Sequence, residues 1–83
     1  MAAYRIAYAG QAHTARAELP DKRRARLDKE MSRTLGRDPY KHGSTPVEPH
    51  DKDRRDATVD GMFVTYYVSR DVLTVTAVRL VRL

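Results

Sequence analysis

The sequence predicts an α+β domain, a helical hairpin packed on a small, mainly antiparallel four-stranded sheet in the order β-α-α-β-β-β. Three observations predict it. Large side chains alternate with small or charged ones at the start of the chain, an apolar stripe of helical period follows, and the stretch from Arg54 onward is dominated by β-branched and aromatic residues broken by two turn signals.

Taking the elements in order, Tyr4, Ile6 and Tyr8 alternate with Ala3, Arg5, Ala7 and Ala9, the period of two of a strand with one face turned inward. Gly10 breaks it. Residues Gln11 to Leu19 are rich in Ala and Arg, and Ala12, Ala15 and Leu19 share one helical face. Pro20 cannot continue that helix but suits the first turn of another, where Asp21 complements the positive helix end. Within Asp21 to Leu35, the residues Leu27, Met31 and Leu35 form one apolar stripe on an otherwise basic rod, and Gly36 is placed as a C-cap. Such a narrow stripe needs a sheet to lie on.

A polar connection from Arg37 to Asp53, punctuated by Pro39, Gly43, Pro46 and Pro49, precedes the sheet and reads as loop. Strands are expected over Arg54 to Val59, Met62 to Ser69 and Val72 to about Leu83. The turns between them are Asp60-Gly61, suited to a primed hairpin turn, and Arg70-Asp71. The last strand is apolar or β-branched on both faces for much of its length, as in the interior of a covered sheet.

Eighty-three residues suffice for one domain, here 1–83, and no cysteine is present to form a disulfide or thiolate metal site. No basic leader with a long apolar run opens the chain, so a cytoplasmic location is expected, with no membrane partner. Sixteen Lys and Arg against eleven Asp and Glu give a net charge of +5, which makes polyanions the default partners. His13, His42 and His50 lack ligand spacing, and neither a phosphate-cradling glycine cluster nor a Gly-x-Ser-x-Gly turn is present. Neither metal nor cofactor is therefore expected, and nucleotide or serine hydrolysis is set aside.

The order and spacing of these elements resemble the RelE/ParE superfamily of bacterial toxins across the whole chain. The resemblance rests on Tyr4-Arg5-Ile6, on the second helix leading into Gly36-Arg37-Asp38-Pro39-Tyr40, on Arg54-Arg55, on Gly61 leading into Phe63-Val64-Thr65-Tyr66-Tyr67-Val68, and on Val72 to Val78. It implies a type II toxin neutralised by a cognate antitoxin, and for the RelE-like branch an mRNA endoribonuclease acting on the ribosome. The ParE-like branch implies a DNA gyrase inhibitor instead, and a noncatalytic basic binding module is a third possibility. Two positions depart from the RelE-like pattern. Met62-Phe63-Val64 stands where many members carry an arginine, and Arg79 and Arg82 are the polar side chains near Leu83, where many carry a tail with a Tyr or His.

Cleavage of the implied kind needs a base, a leaving-group acid and cations for the developing phosphorane, all within reach of basic side chains. The expected catalytic set is Arg54, Arg55, Arg79 and Arg82 holding phosphates, with His50 moving the proton and His42 as the other neutral-range group. Lys41, His42, Lys52, Tyr66 and Tyr67 are the expected RNA contacts. Neighbours on a strand face opposite ways, so one of Arg54 and Arg55 serves the phosphate while the other pairs with Asp53 or Asp56, and one of Tyr66 and Tyr67 is core while the other stacks on a base. The run Lys22-Arg23-Arg24-Ala25-Arg26 reads as a solvated helix face with a weak assisting grip on ribosomal RNA.

Overall fold

The computed structural model describes residues 3–83. The chain runs β1 (Arg5–Tyr8), α1 (Gly10–Ala17), α2 (Asp21–Arg33), β2 (Thr45–Glu48), β3 (Asp51–Val59), β4 (Met62–Ser69), a short 3-10 turn (Arg70–Val72) and β5 (Thr74–Arg82). The five strands form one sheet in the order β1-β5-β4-β3-β2, antiparallel throughout except for the parallel β1–β5 seam. Both helices lie on one face.

The fold class is as expected, with one strand more. Thr45–Glu48 pairs with β3 as an edge strand although all four residues are exposed, one is Pro46, and the register slips after it. A strand with no buried face carries no alternation to read, and proline is tolerated because its missing N–H lies at a sheet edge. The final turn also runs longer than expected. It takes Arg70–Val72 as a 3-10 turn and places Leu73 in the left-handed region, so β5 starts at Thr74.

The stripe on α2 is the centre of the core. Leu27, Met31 and Leu35 are fully buried against Met62, Val64, Tyr66, Val75 and Leu80, and burying each such side chain contributes roughly 1.5–3 kcal/mol. Gly36 follows the helix without adopting positive φ. It is required because its N–H bonds back to the Met31 carbonyl at 2.9 Å and a Cβ there would stand 2.5 Å from the Ser32 carbonyl oxygen. The Gly36 carbonyl then accepts from Tyr4 N–H at 2.6 Å, which fixes the start of β1.

The basic run on α2 is exposed at Lys22, Ala25 and Arg26, as expected of a solvated face, and three of its arginines also tie the helix to its neighbours. Arg23 and Arg26 both engage Asp60 at the β3–β4 turn, and Arg24 pairs with Asp21 while donating to the Leu19 carbonyl at the corner between the helices. Asp60 and Gly61 both have positive φ, the primed turn expected of that dipeptide, and the two arginines tie that turn to the helix. At the other end, Asp28 receives Arg16 through both oxygens and the Tyr8 hydroxyl at 3.0 Å. Arg16 holds the Asp28 carboxyl below its ordinary value, while burial and that same carboxylate raise the Tyr8 phenol.

Candidate functional site

Strand alternation and register decide which basic residues share a surface. On β3 and β4, Arg55, Ala57 and Val59 stand with Tyr66, Val64 and Met62 beneath the helices, whereas Arg54, Asp56 and Thr58 stand with Tyr67, Thr65 and Phe63 on the open face. Across β5, Thr76, Arg79 and Val81 fall opposite Tyr67, Thr65 and Phe63, with an extra residue taken up between Ala77 and Arg79. Arg5 on β1 and Lys52 on β3 share the open face by the same alternation.

The open face is therefore built in rows. Arg54 stacks on the Tyr67 ring at 5.6 Å, beside Thr76. The next row holds Asp56, Thr65 and Arg79, where the Thr65 hydroxyl donates to Asp56 Oδ1 at 2.7 Å. The third holds Thr58, Phe63 and Val81 and is apolar at its centre. The Arg54 Nε is shut off from solvent and has no hydrogen-bond partner among the described residues.

The charge layout is uneven. Every ion pair among the described residues draws its arginine from a helix: Arg16, Arg23, Arg24, Arg26 and Arg33. Arg5, Lys52, Arg54 and Arg79 on the open face make none, so the face carries cations that the chain's own acids do not neutralise.

Six of the expected site residues are not on that face: Arg55, Tyr66, Arg82 and His50, and Lys41 and His42 in the loop before β2. Arg55 is buried at 8% exposure; its guanidinium donates to Ser44 Oγ at 2.9 Å, the Ser44 carbonyl at 3.2 Å and the Lys52 carbonyl at 3.0 Å, and it lies over the Tyr40 ring. It fastens the 37–44 loop to the sheet instead of meeting solvent, and neither Asp53 nor Asp56 is its partner. Tyr66 is fully buried and donates its hydroxyl to the Pro39 carbonyl at 2.5 Å, so it is a core residue that no base can reach, with its phenol raised by burial. Arg82 is three residues from Arg79 and so turns to the helix side, opposite Met62. His50 sits exposed in the β2–β3 turn, four extended residues or about 13 Å along the strand from Arg54.

Lys41 and His42 are exposed in the 37–44 loop, with His42 at positive φ, and Lys52 is exposed at the start of β3. Tyr40, which that loop also carries, donates to Asp53 at 2.6 Å; burial and this carboxylate raise its phenol. The structure thus brings together Arg54, Arg79, Tyr67 and Lys52 from the expected set. It adds Arg5, Asp56 and Thr65, which gave no sequence signal beyond strand alternation, because their meeting depends on the β1–β5 and β4–β5 registers.

No helix among the described residues is long and apolar enough to cross a membrane. No protein-family model and no curated protein matches the chain. Among solved structures it is similar to a chain of the toxin-antitoxin complex RelBE2 from Mycobacterium tuberculosis, with a TM-score of 0.77 and 19% identity over 100% of this chain and 94% of that one. The chain has this RelE-like fold.

Proposed function

We propose that this chain is the toxin of a type II toxin-antitoxin pair, a ribosome-dependent mRNA endoribonuclease that inhibits translation until a cognate antitoxin covers it. The observation that carries this reading is the separation of charge on a RelE-like fold: helix arginines are paired with acids, and the open-face cations are not. Single-stranded RNA supplies what that face lacks. Its phosphates are acceptors for Arg54 and Arg79, and its bases offer a π-surface to Tyr67.

Cleavage would proceed by attack of a 2′-hydroxyl on the adjacent phosphate, giving a 2′,3′-cyclic phosphate as the P–O bond to the next nucleotide's 5′-oxygen breaks and that oxygen takes a proton from water, with Arg54 and Arg79 offsetting the charge that grows on the phosphorane. Asp56 is the proton acceptor that shares this face with both arginines, oriented by the Thr65 hydroxyl, and it takes the base role expected of His50. A second reading, a gyrase-directed toxin of the same fold, is favoured by the Phe63–Val81 pair, which makes one end of the face apolar where a phosphate ligand would otherwise stand.

Controlled expression in a bacterial host separates these. Growth arrest with messages cut inside codons on the ribosome, both lost in Arg54→Ala/Arg79→Ala, supports the nuclease. Arrest with DNA damage and intact message transfers the chain to the gyrase reading, and normal growth with intact message removes both.

A further inference from the structure

The chain's single phenylalanine is not in its core. Phe63 stands half-buried on the open face, between Thr58 of β3 and Val81 of β5, and Val81 is itself exposed. It lies four residues from Tyr67 on the same strand, so the two rings share that face about 13 Å apart. Between them runs the polar row of Asp56, Thr65 and Arg79.

The two rings differ in electrostatic setting. Arg54 lies over Tyr67, whereas no cation lies over Phe63 among the described residues, and its neighbours Thr58 and Val81 carry no charge. Stacked bases in a nucleic-acid strand rise only about 3.4 Å each, roughly a quarter of the separation between the rings. Neighbouring bases that stay stacked on one another therefore cannot lie on both. A single strand with its bases splayed apart can, with the intervening phosphates passing over Arg79.

We propose that Phe63 is a second base platform, and that Tyr67 and Phe63 together hold two non-adjacent bases of one RNA strand on either side of the row containing Asp56 and Arg79. The inference rests on the nuclease reading above and deepens it, since the gyrase-directed reading gives Phe63 to a protein surface instead. A ring offers its π-face to any base, so the pair selects the spacing of splayed bases rather than their identity. With no cation beside it, Phe63 contributes through stacking alone, and its share of the affinity does not vary with salt as that of Arg79 does.

The test measures binding of the full chain to fluorescently labelled RNA pentanucleotides that share every phosphate but carry bases at chosen positions only, the rest being abasic. Bases at the second and fourth positions should bind about tenfold tighter than bases at the second and third, or than one base alone. Phe63→Leu keeps an apolar side chain against Val81 and removes the ring. It should bring the spaced pair down to the level of the single base and leave the slope of log affinity against log salt unchanged. Phe63→Tyr keeps the ring and should bind as the parent does, which separates a lost platform from a folding defect. Equal binding of spaced and adjacent pairs, full affinity in Phe63→Leu, a lowered salt slope in that variant, or equal loss in both variants overturns the proposal. Failure of a fully based pentanucleotide to bind overturns it together with the nuclease reading. The predicted spacing in a chain whose expression leaves growth and messages intact upholds the platforms and removes the toxin reading, so the two failures are told apart.

Discussion

Replacing Arg55 with methionine separates a buried, structural arginine from its open-face neighbour Arg54. The methionine keeps the buried stem but removes the guanidinium, and with it three donated hydrogen bonds to Ser44 and Lys52 and the contact over the Tyr40 ring. Hydrogen bonds from charged donors contribute about 1.5–3 kcal/mol each before desolvation is counted, and relieving a buried charge offsets much of that, which leaves a net loss of about 2–3 kcal/mol. Against a total stability of roughly 4–12 kcal/mol for a chain of this length, that is a large fraction. In thermal melts followed by circular dichroism it corresponds to a fall in Tm of roughly 10–20 °C. Arg54→Met should move Tm by less than about 5 °C, since only the stack on Tyr67 is lost, yet it should abolish RNA binding. The reasoning is refuted if Arg55→Met melts within 2 °C of the parent, on the order of experimental error, and loses RNA binding instead.

Three further outcomes follow from the same contacts. Arg79→Ala should lower the slope of log affinity for single-stranded RNA against log salt by about 0.7, read by fluorescence anisotropy across a salt series, with unchanged stability. The folded Asp28 carboxyl lies below its ordinary value of 3.8, so its contribution to stability is complete above that value and disappears as pH falls through the folded one; urea titrations from pH 6 to pH 2 should show a steeper acid loss in the parent than in Asp28→Asn. Gly36→Ala forces a Cβ against the Ser32 carbonyl and should cost about 1–3 kcal/mol in chemical denaturation, through displacement of the turn that anchors Tyr4.

How much of this was legible in the sequence depends on whether the deciding contact is local. The stripe of Leu27, Met31 and Leu35 and the Asp60-Gly61 turn are written in spacing and dipeptide chemistry, and both appear as expected. The separation of Arg79 from Arg82 was equally available, since three residues along a strand reverse the face. The extra strand was not, because an exposed edge containing proline has neither pattern nor propensity to announce it. Nor was the role of Arg23 and Arg26, whose partner Asp60 lies more than thirty positions away, or the choice between Arg54 and Arg55, which turns on which face the helices cover. Alternation divides such neighbours into two classes; only the packed structure names the class that meets solvent.

The parallel seam between β1 and β5 has a consequence for biosynthesis. Residues 5–8 find their ladder partners only in residues 74–77, so the leading strand stays unzipped until those residues have been translated. Helices and the antiparallel ribbon can assemble early, but Arg5 reaches the cation-bearing surface only in that late closure. Arg5 therefore takes its place on the open face of the sheet only after residues 74–77 have been made.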